Sequence, residues 1–83
     1  MINKIINPKQ CRAARALLNW SQDDLSSKSG VAKATIADFE REKRTPYSRT
    51  LRDIQKSFTD NNIEFEITET TCGLRLVTKK FPS

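Results

Sequence analysis

Apolar positions change their period once along the chain, close to residue 62. Before that point they recur at helical spacing, and after it they alternate. Cys11, Ala14, Leu17 and Leu18 form the first helical stripe, which Asn19 ends. Its start is signalled by Asn7 as cap, Pro8 in the first helical position and Gln10 closing a capping box. A second start follows at Ser21, with Asp24 three residues on and Trp20 placed to staple onto Leu25. Asp23 and Asp24 complement the positive end of that helix's dipole. The helix is expected to run to about Ser29, with Gly30 supplying a left-handed exit.

A third helix is expected from Ala32 or Lys33, with Ile36 and Phe39 facing inward, followed by a basic loop over residues 41–46. A fourth, from Tyr47 or Ser48 to about residue 61, carries the stripe Leu51, Ile54 and Phe58. Beyond it, Ile63, Phe65 and Ile67 alternate with Glu64, Glu66 and Thr68, the pattern of a half-buried strand. Leu74 and Leu76, with Val77 beside them, suggest a second strand after a turn over residues 70–73, which makes Cys72 a loop residue. The expected architecture is mainly α, four or five short helices and then a strand or hairpin. Residues 1–60 form the helical domain and residues 61–83 a C-terminal extension.

The second and third helices are each about eight residues long, too short to stand alone in water. They persist only by burying Leu25, Val31, Ile36 and Phe39 against the first and fourth. The tight Gly30-Val31 connection favours a steep crossing over an antiparallel hairpin, which leaves one face of the third helix outside the core. That is the arrangement of a helix-turn-helix, whose second helix enters the DNA major groove.

Charge adds to this picture. Residues 1–59 hold 12 Lys or Arg against 6 Asp or Glu, whereas residues 60–83 hold 3 against 4, so the chain's net charge of +5 belongs to the helical part. A basic surface of this kind suits a polyanion, since cations that neutralise phosphates release condensed counterions. Composition removes other classes. With no histidine and only Cys11 and Cys72, a four-ligand zinc site is not expected, and two reduced thiols fit a cytoplasmic protein. No apolar run of membrane-spanning length and no secretory core is found. There is no Gly-rich phosphate loop and no nucleophile with a base beside it, so neither catalysis nor a cofactor is expected.

The residues Trp20-Ser21-Gln22, Leu25, Gly30-Val31, Thr35-Ile36, Phe39-Glu40-Arg41 and Thr45-Pro46 together resemble the phage repressor and Cro type of helix-turn-helix regulator, the XRE family, over about residues 7–60. The resemblance implies a lambda-repressor-like fold and double-stranded DNA as partner. It implies that Gln22 grips a phosphate and braces the reading helix, and that Lys33, Ala34 and Asp38, with Thr35 nearby, face base edges. Lys43 and Arg44 then reach the backbone, and Arg15 with Glu40 forms a structural ion pair. Arg49, near the start of the fourth helix, is a further phosphate candidate. Lys33 can donate to guanine O6 or N7, Asp38 can accept from cytosine N4, and Ala34 offers contact to a thymine methyl. Ala32 departs from the family by replacing a capping Ser or Thr, and Glu42 by standing where Gly is usual.

Regulators of this type act on two half-sites, so a homodimer is expected, with Ile63, Phe65, Ile67, Leu74 and Leu76 contributing. Whether that segment closes its own core or pairs across a dimer stays open on the sequence. The leading function is a dimeric repressor. The alternative is a helix-turn-helix module that binds a protein, such as a toxin or another regulator, in place of DNA.

Overall fold

The computed structural model describes residues 5–67 and 72–76, with the backbone alone described for 66, 67 and 72–76. Four helices are followed by a hairpin: α1 (Pro8–Leu18), α2 (Gln22–Ser29), α3 (Lys33–Glu40), α4 (Ser48–Thr59), β1 (Ile63–Ile67) and β2 (Cys72–Leu76). The mainly α class with a C-terminal hairpin is the architecture that the periodicity implied.

Local chemistry sets the first two helices. The Asn7 side chain accepts from the Gln10 amide at 2.8 Å, while the Gln10 side chain accepts from the Asn7 amide at 3.0 Å. Ser21 and Asp24 form the same reciprocal box at 3.0 and 2.9 Å. These caps satisfy amides that the first turn would leave without partners. Asn19 (φ 60°) ends α1 and Gly30 (φ 75°) ends α2, both in the left-handed region. An added Cβ on Gly30 would meet nothing within 4 Å, so backbone conformation alone calls for glycine there.

The core joins all four helices to the first strand. Ile6, Cys11, Ala14, Leu25, Val31, Ile36, Phe39, Leu51, Ile54, Phe58 and Ile63 are buried together. Trp20, expected as a staple on Leu25, stacks on Phe58 with ring centroids 5.6 Å apart, and Phe65 meets the edge of Phe58 at 6.0 Å. The segment before α1 is tied to α4 where the Ile6 amide donates to the Gln55 side chain at 3.1 Å.

Three expectations change. Leu17 is 47% exposed. At 100° per residue it lies about a quarter-turn away from the direction shared by Cys11, Ala14 and Leu18; Gln10, on the same side as Leu17 but two turns nearer the start, is buried where it closes the capping box. Cys72 and Gly73 belong to β2, because the antiparallel register pairs Ile67 with Cys72 and Glu66 with Gly73. The turn expected over residues 70–73 therefore does not include Cys72 or Gly73, and residues 70, 71 and Val77 lie outside the described residues. Finally, Ile63 is only 1% exposed and sits in this chain's own core, with partly buried Phe65 packed against that core, so the Ile63 side chain is covered within the subunit. The side chains of Ile67, Leu74 and Leu76 lie outside those described.

Candidate nucleic-acid interface

The expected reading helix, α3, divides by face. Ile36, Phe39 and Glu40 are buried, Thr35, Ala37 and Asp38 are half-buried, and Lys33 and Ala34 are exposed. No side chain caps its start, where Ala32 stands as N-cap. Tertiary contacts fix the helix instead, and the strongest converge on its last residue.

The Glu40 carboxylate accepts four hydrogen bonds, two at each oxygen. Arg15 donates through Nε to Oε2 at 2.8 Å and through Nη2 to Oε1 at 2.7 Å. Gln22 Nε2 donates to Oε1 at 3.0 Å, and the Cys11 thiol to Oε2 at 3.0 Å. A carboxylate offers about four lone-pair sites, so this one is filled. Arg12 donates to the Glu40 carbonyl. Arg15 also donates to the Trp20 carbonyl at 3.0 Å, so a single guanidinium joins α1, the α1–α2 connection and α3. Side chains from α1 and α2 thus hold the end of α3 in one place, a geometric requirement for presenting its start to a rigid ligand.

Burial and bonding set the protonation states here. Burial, the largest influence on Glu40, would raise its pKa. The hydrogen bonds from Arg15, Cys11 and Gln22, with the Arg15 charge, outweigh it and hold the carboxyl below the usual range. The Arg15 guanidinium is pushed up, first by its hydrogen bond to Glu40. Burial, and then the hydrogen bond to Glu40, pushes the Cys11 thiol far up, so it is a neutral donor.

After α3 the chain leaves through residues 41–45, all exposed. Glu42 adopts φ 61°. Its amide donates to the Phe39 carbonyl at 3.0 Å and the Lys43 amide to the Asp38 carbonyl at 2.8 Å, the paired bonds of a Schellman ending with glutamate in the glycine position. That ending places Lys43 and Arg44 beyond the end of α3, exposed, and Arg49 is exposed in the first turn of α4.

Lys33, an expected base-reading cation, and Arg41 just beyond α3 already have partners. Lys33 Nζ lies 3.3 Å from Asp23 Oδ1 on α2, and Arg41 Nη2 lies 3.1 Å from Asp38 Oδ1. Gln22 is half-buried and donates inward to Glu40. The structure therefore brings Arg15, Glu40 and Gln22 into one cluster. It places Lys33, Ala34, Thr35 and Asp38 along α3, with Lys43 and Arg44 exposed in the connection after it and Arg49 exposed in the first turn of α4.

Sequence reasoning missed Cys11, Arg12 and Asp23. Cys11 and Arg15 lie four apart on one helix face, a spacing that could have linked the thiol to the ion pair. Asp23 and Lys33 are ten residues apart across a turn, and no local pattern marks them.

The helix-turn-helix family model HTH_3 matches residues 12–58, more than half of the chain and all of α2, α3 and their turn. Comparison with curated proteins gave no significant match. No helix among the described residues is long and apolar enough to cross a membrane. With the matched span, the two short helices around Gly30 and the fixed third helix in agreement, the chain belongs to the repressor and Cro type of helix-turn-helix DNA-binding regulators.

Proposed function

We propose that the protein is a sequence-specific transcriptional repressor that binds as a homodimer to an inverted repeat, with α3 in the major groove. The observation that carries this reading is the division of α3. Its end is held by four hydrogen bonds on Glu40, while Lys33 and Ala34 at its start are exposed. Lys33 contacts guanine or phosphate, Ala34 a thymine methyl, Thr35 a base edge or phosphate, and Asp38 the cytosine amino group. Lys43, Arg44 and Arg49 meet the backbone on either side. One amide hydrogen of Gln22 goes to Glu40, and the second is available to a phosphate. Two copies present their α3 helices one helical turn apart, about 34 Å. With Ile63 covered inside the subunit, partly buried Phe65 together with Ile67, Leu74 and Leu76 remain the proposed contacts between copies. Repression follows from occluding polymerase at the bound site.

The test is a Lys33→Ala, Lys43→Ala, Arg44→Ala triple variant, assayed on a duplex recovered by selection from random DNA with the wild-type chain. Affinity should fall at least about 100-fold, as expected for losing one base contact and two phosphate contacts, with the circular dichroism spectrum unchanged. Unchanged affinity refutes the assignment. Failure of the wild type to bind any duplex at low salt favours the protein-binding alternative, to which the acidic partners of Lys33 and Arg41 lend support.

A further inference from the structure

Lys33 is the one expected base-contacting cation on α3, yet it lies 3.3 Å from Asp23 and is not left free. The next cation along, Arg41, is held by Asp38 at 3.1 Å. Both Lys33 and Asp23 are more than half exposed, so water and salt screen the pair and a competing acceptor can break it. Asp23 has no structural duty that demands this partner. The α2 capping box is made by Ser21 and Asp24, and Asp23 adds only its charge near the helix start.

We propose that Asp23 is a specificity-determining residue, a carboxylate that occupies Lys33 until a correctly placed base acceptor replaces it. The proposal rests on the reading of α3 as the DNA-reading helix. On a random duplex, a Lys33 released from Asp23 gains only a screened phosphate contact, and the freed Asp23 carboxylate stands close to the phosphates and repels them. Lys33 therefore stays paired, and non-specific binding loses one cation. On the right sequence, a guanine edge offers Lys33 a directional acceptor in a partly dehydrated groove, and the exchange is favourable. Removing the carboxylate should thus help non-specific binding more than specific binding, because only the non-specific complex gains a new contact. Asp23 acts through Lys33 and is a positioning residue.

The experiment measures affinity of the full chain across a salt series, on a random-sequence duplex and on the duplex recovered by wild-type selection. Asp23→Asn should bind the random duplex up to about fivefold more tightly, the upper end available to an exposed ion pair. Its salt dependence there should steepen by up to about 0.9, the contribution of one more neutralised phosphate. The selected duplex should gain less, so the ratio of the two affinities falls. Asp23→Glu, which keeps the charge, should restore the wild-type ratio and slope. A merely structural role for Asp23 would change neither the slope nor the ratio. If Asp23→Asn leaves both unchanged, or raises both affinities equally, the proposal is overturned while DNA binding stands. If the wild type binds neither duplex, the proposal falls together with the DNA-binding reading.

Discussion

Replacing Glu40 with glutamine tests what holds α3 in place. Glutamine keeps the shape but has one acceptor oxygen and brings a donating amide. Of the four incoming donors from Arg15, Gln22 and Cys11, two would face N–H in place of an acceptor. The Arg15 side chain, 19% exposed, would lose the charge that compensates it. Leaving two donors in this part-buried cluster without partners costs about 1–3 kcal/mol each, and breaking a pair whose carboxylate is buried costs up to about 3–5 kcal/mol, so both routes give at most about 4 kcal/mol. In a domain of this size each kcal/mol moves Tm by about 4–8 °C, which puts the drop at no more than about 15–30 °C. Thermal and urea unfolding followed by far-ultraviolet circular dichroism read this directly, and Trp20, stacked on Phe58, gives a fluorescence signal from within the packed domain. Replacing both charges, with Arg15→Met and Glu40→Leu together, should cost less than the two single changes summed, because no orphan charge remains. The sign with pH follows from the lowered Glu40 pKa. Its stabilisation is present above the unfolded value of about 4.3 and is lost as pH falls from there through the lower folded value. Wild-type stability should therefore fall on acidification through that window more steeply than that of Glu40→Gln. A loss under about 1 kcal/mol for Glu40→Gln, or strict additivity in the double variant, would refute the reasoning.

Two further outcomes follow from strain and burial. Glu42→Gly should stabilise the fold by about 0.5–1 kcal/mol, since a left-handed non-glycine residue costs about 1–2 kcal/mol and the greater freedom of unfolded glycine returns part of that. It also removes a negative charge beside Lys43 and Arg44, so duplex affinity should rise; a destabilised variant in urea unfolding would contradict the Schellman geometry. Cys11 should resist alkylation in the native state and react only on unfolding, because its pKa is raised by burial and by the bond to Glu40. Its contribution to stability is present below the unfolded thiol's pKa of about 8.5 and is lost as pH rises above it, so Cys11→Ala should flatten the alkaline side of the stability profile.

What the sequence makes legible is what local chemistry decides. Both capping boxes, the left-handed Gly30 and the limits of α1 and α2 each need residues no more than four apart, and those spacings sit in plain view. The second strand was blurred for the opposite reason. Gly73 is depleted in strands and reads as a turn residue, and only the register that pairs it with Glu66 and Cys72 with Ile67 shows both to be strand. Leu17 misled because an apolar side chain at the edge of a stripe reads the same whether or not a neighbour covers it. Alternation through Ile63, Phe65 and Ile67 reveals that one face needs cover, but it is silent on what supplies the cover. In the structure the helical core supplies it for Ile63, and Phe58 of α4 meets the ring of Phe65.

The functional residues divide along the same line, for a physical reason. The exposure and charge of Lys33, Lys43 and Arg44 follow from helix phase and composition, whereas their proposed contacts to DNA come from the family resemblance. The group that makes their exposure useful has no such local mark: Arg15, Glu40 and the bracing Gln22 are implied only by the family resemblance, and the Cys11 and Arg12 bonds were not foreseen. The bonds to Glu40 come from residues 18, 25 and 29 positions away, and each donor has an ordinary alternative: cysteine as core, glutamine as surface, arginine as solvated charge. A rigid reading helix of eight residues cannot be held by its own propensity, and α3 has no N-terminal side-chain cap to help. Its rigidity must come from tertiary contacts, and filling all four acceptor sites of one buried carboxylate does this with a single residue. That is why a change at Glu40, well away from the exposed start of α3, should weaken DNA binding together with the fold, whereas a change at Lys33 should weaken binding alone.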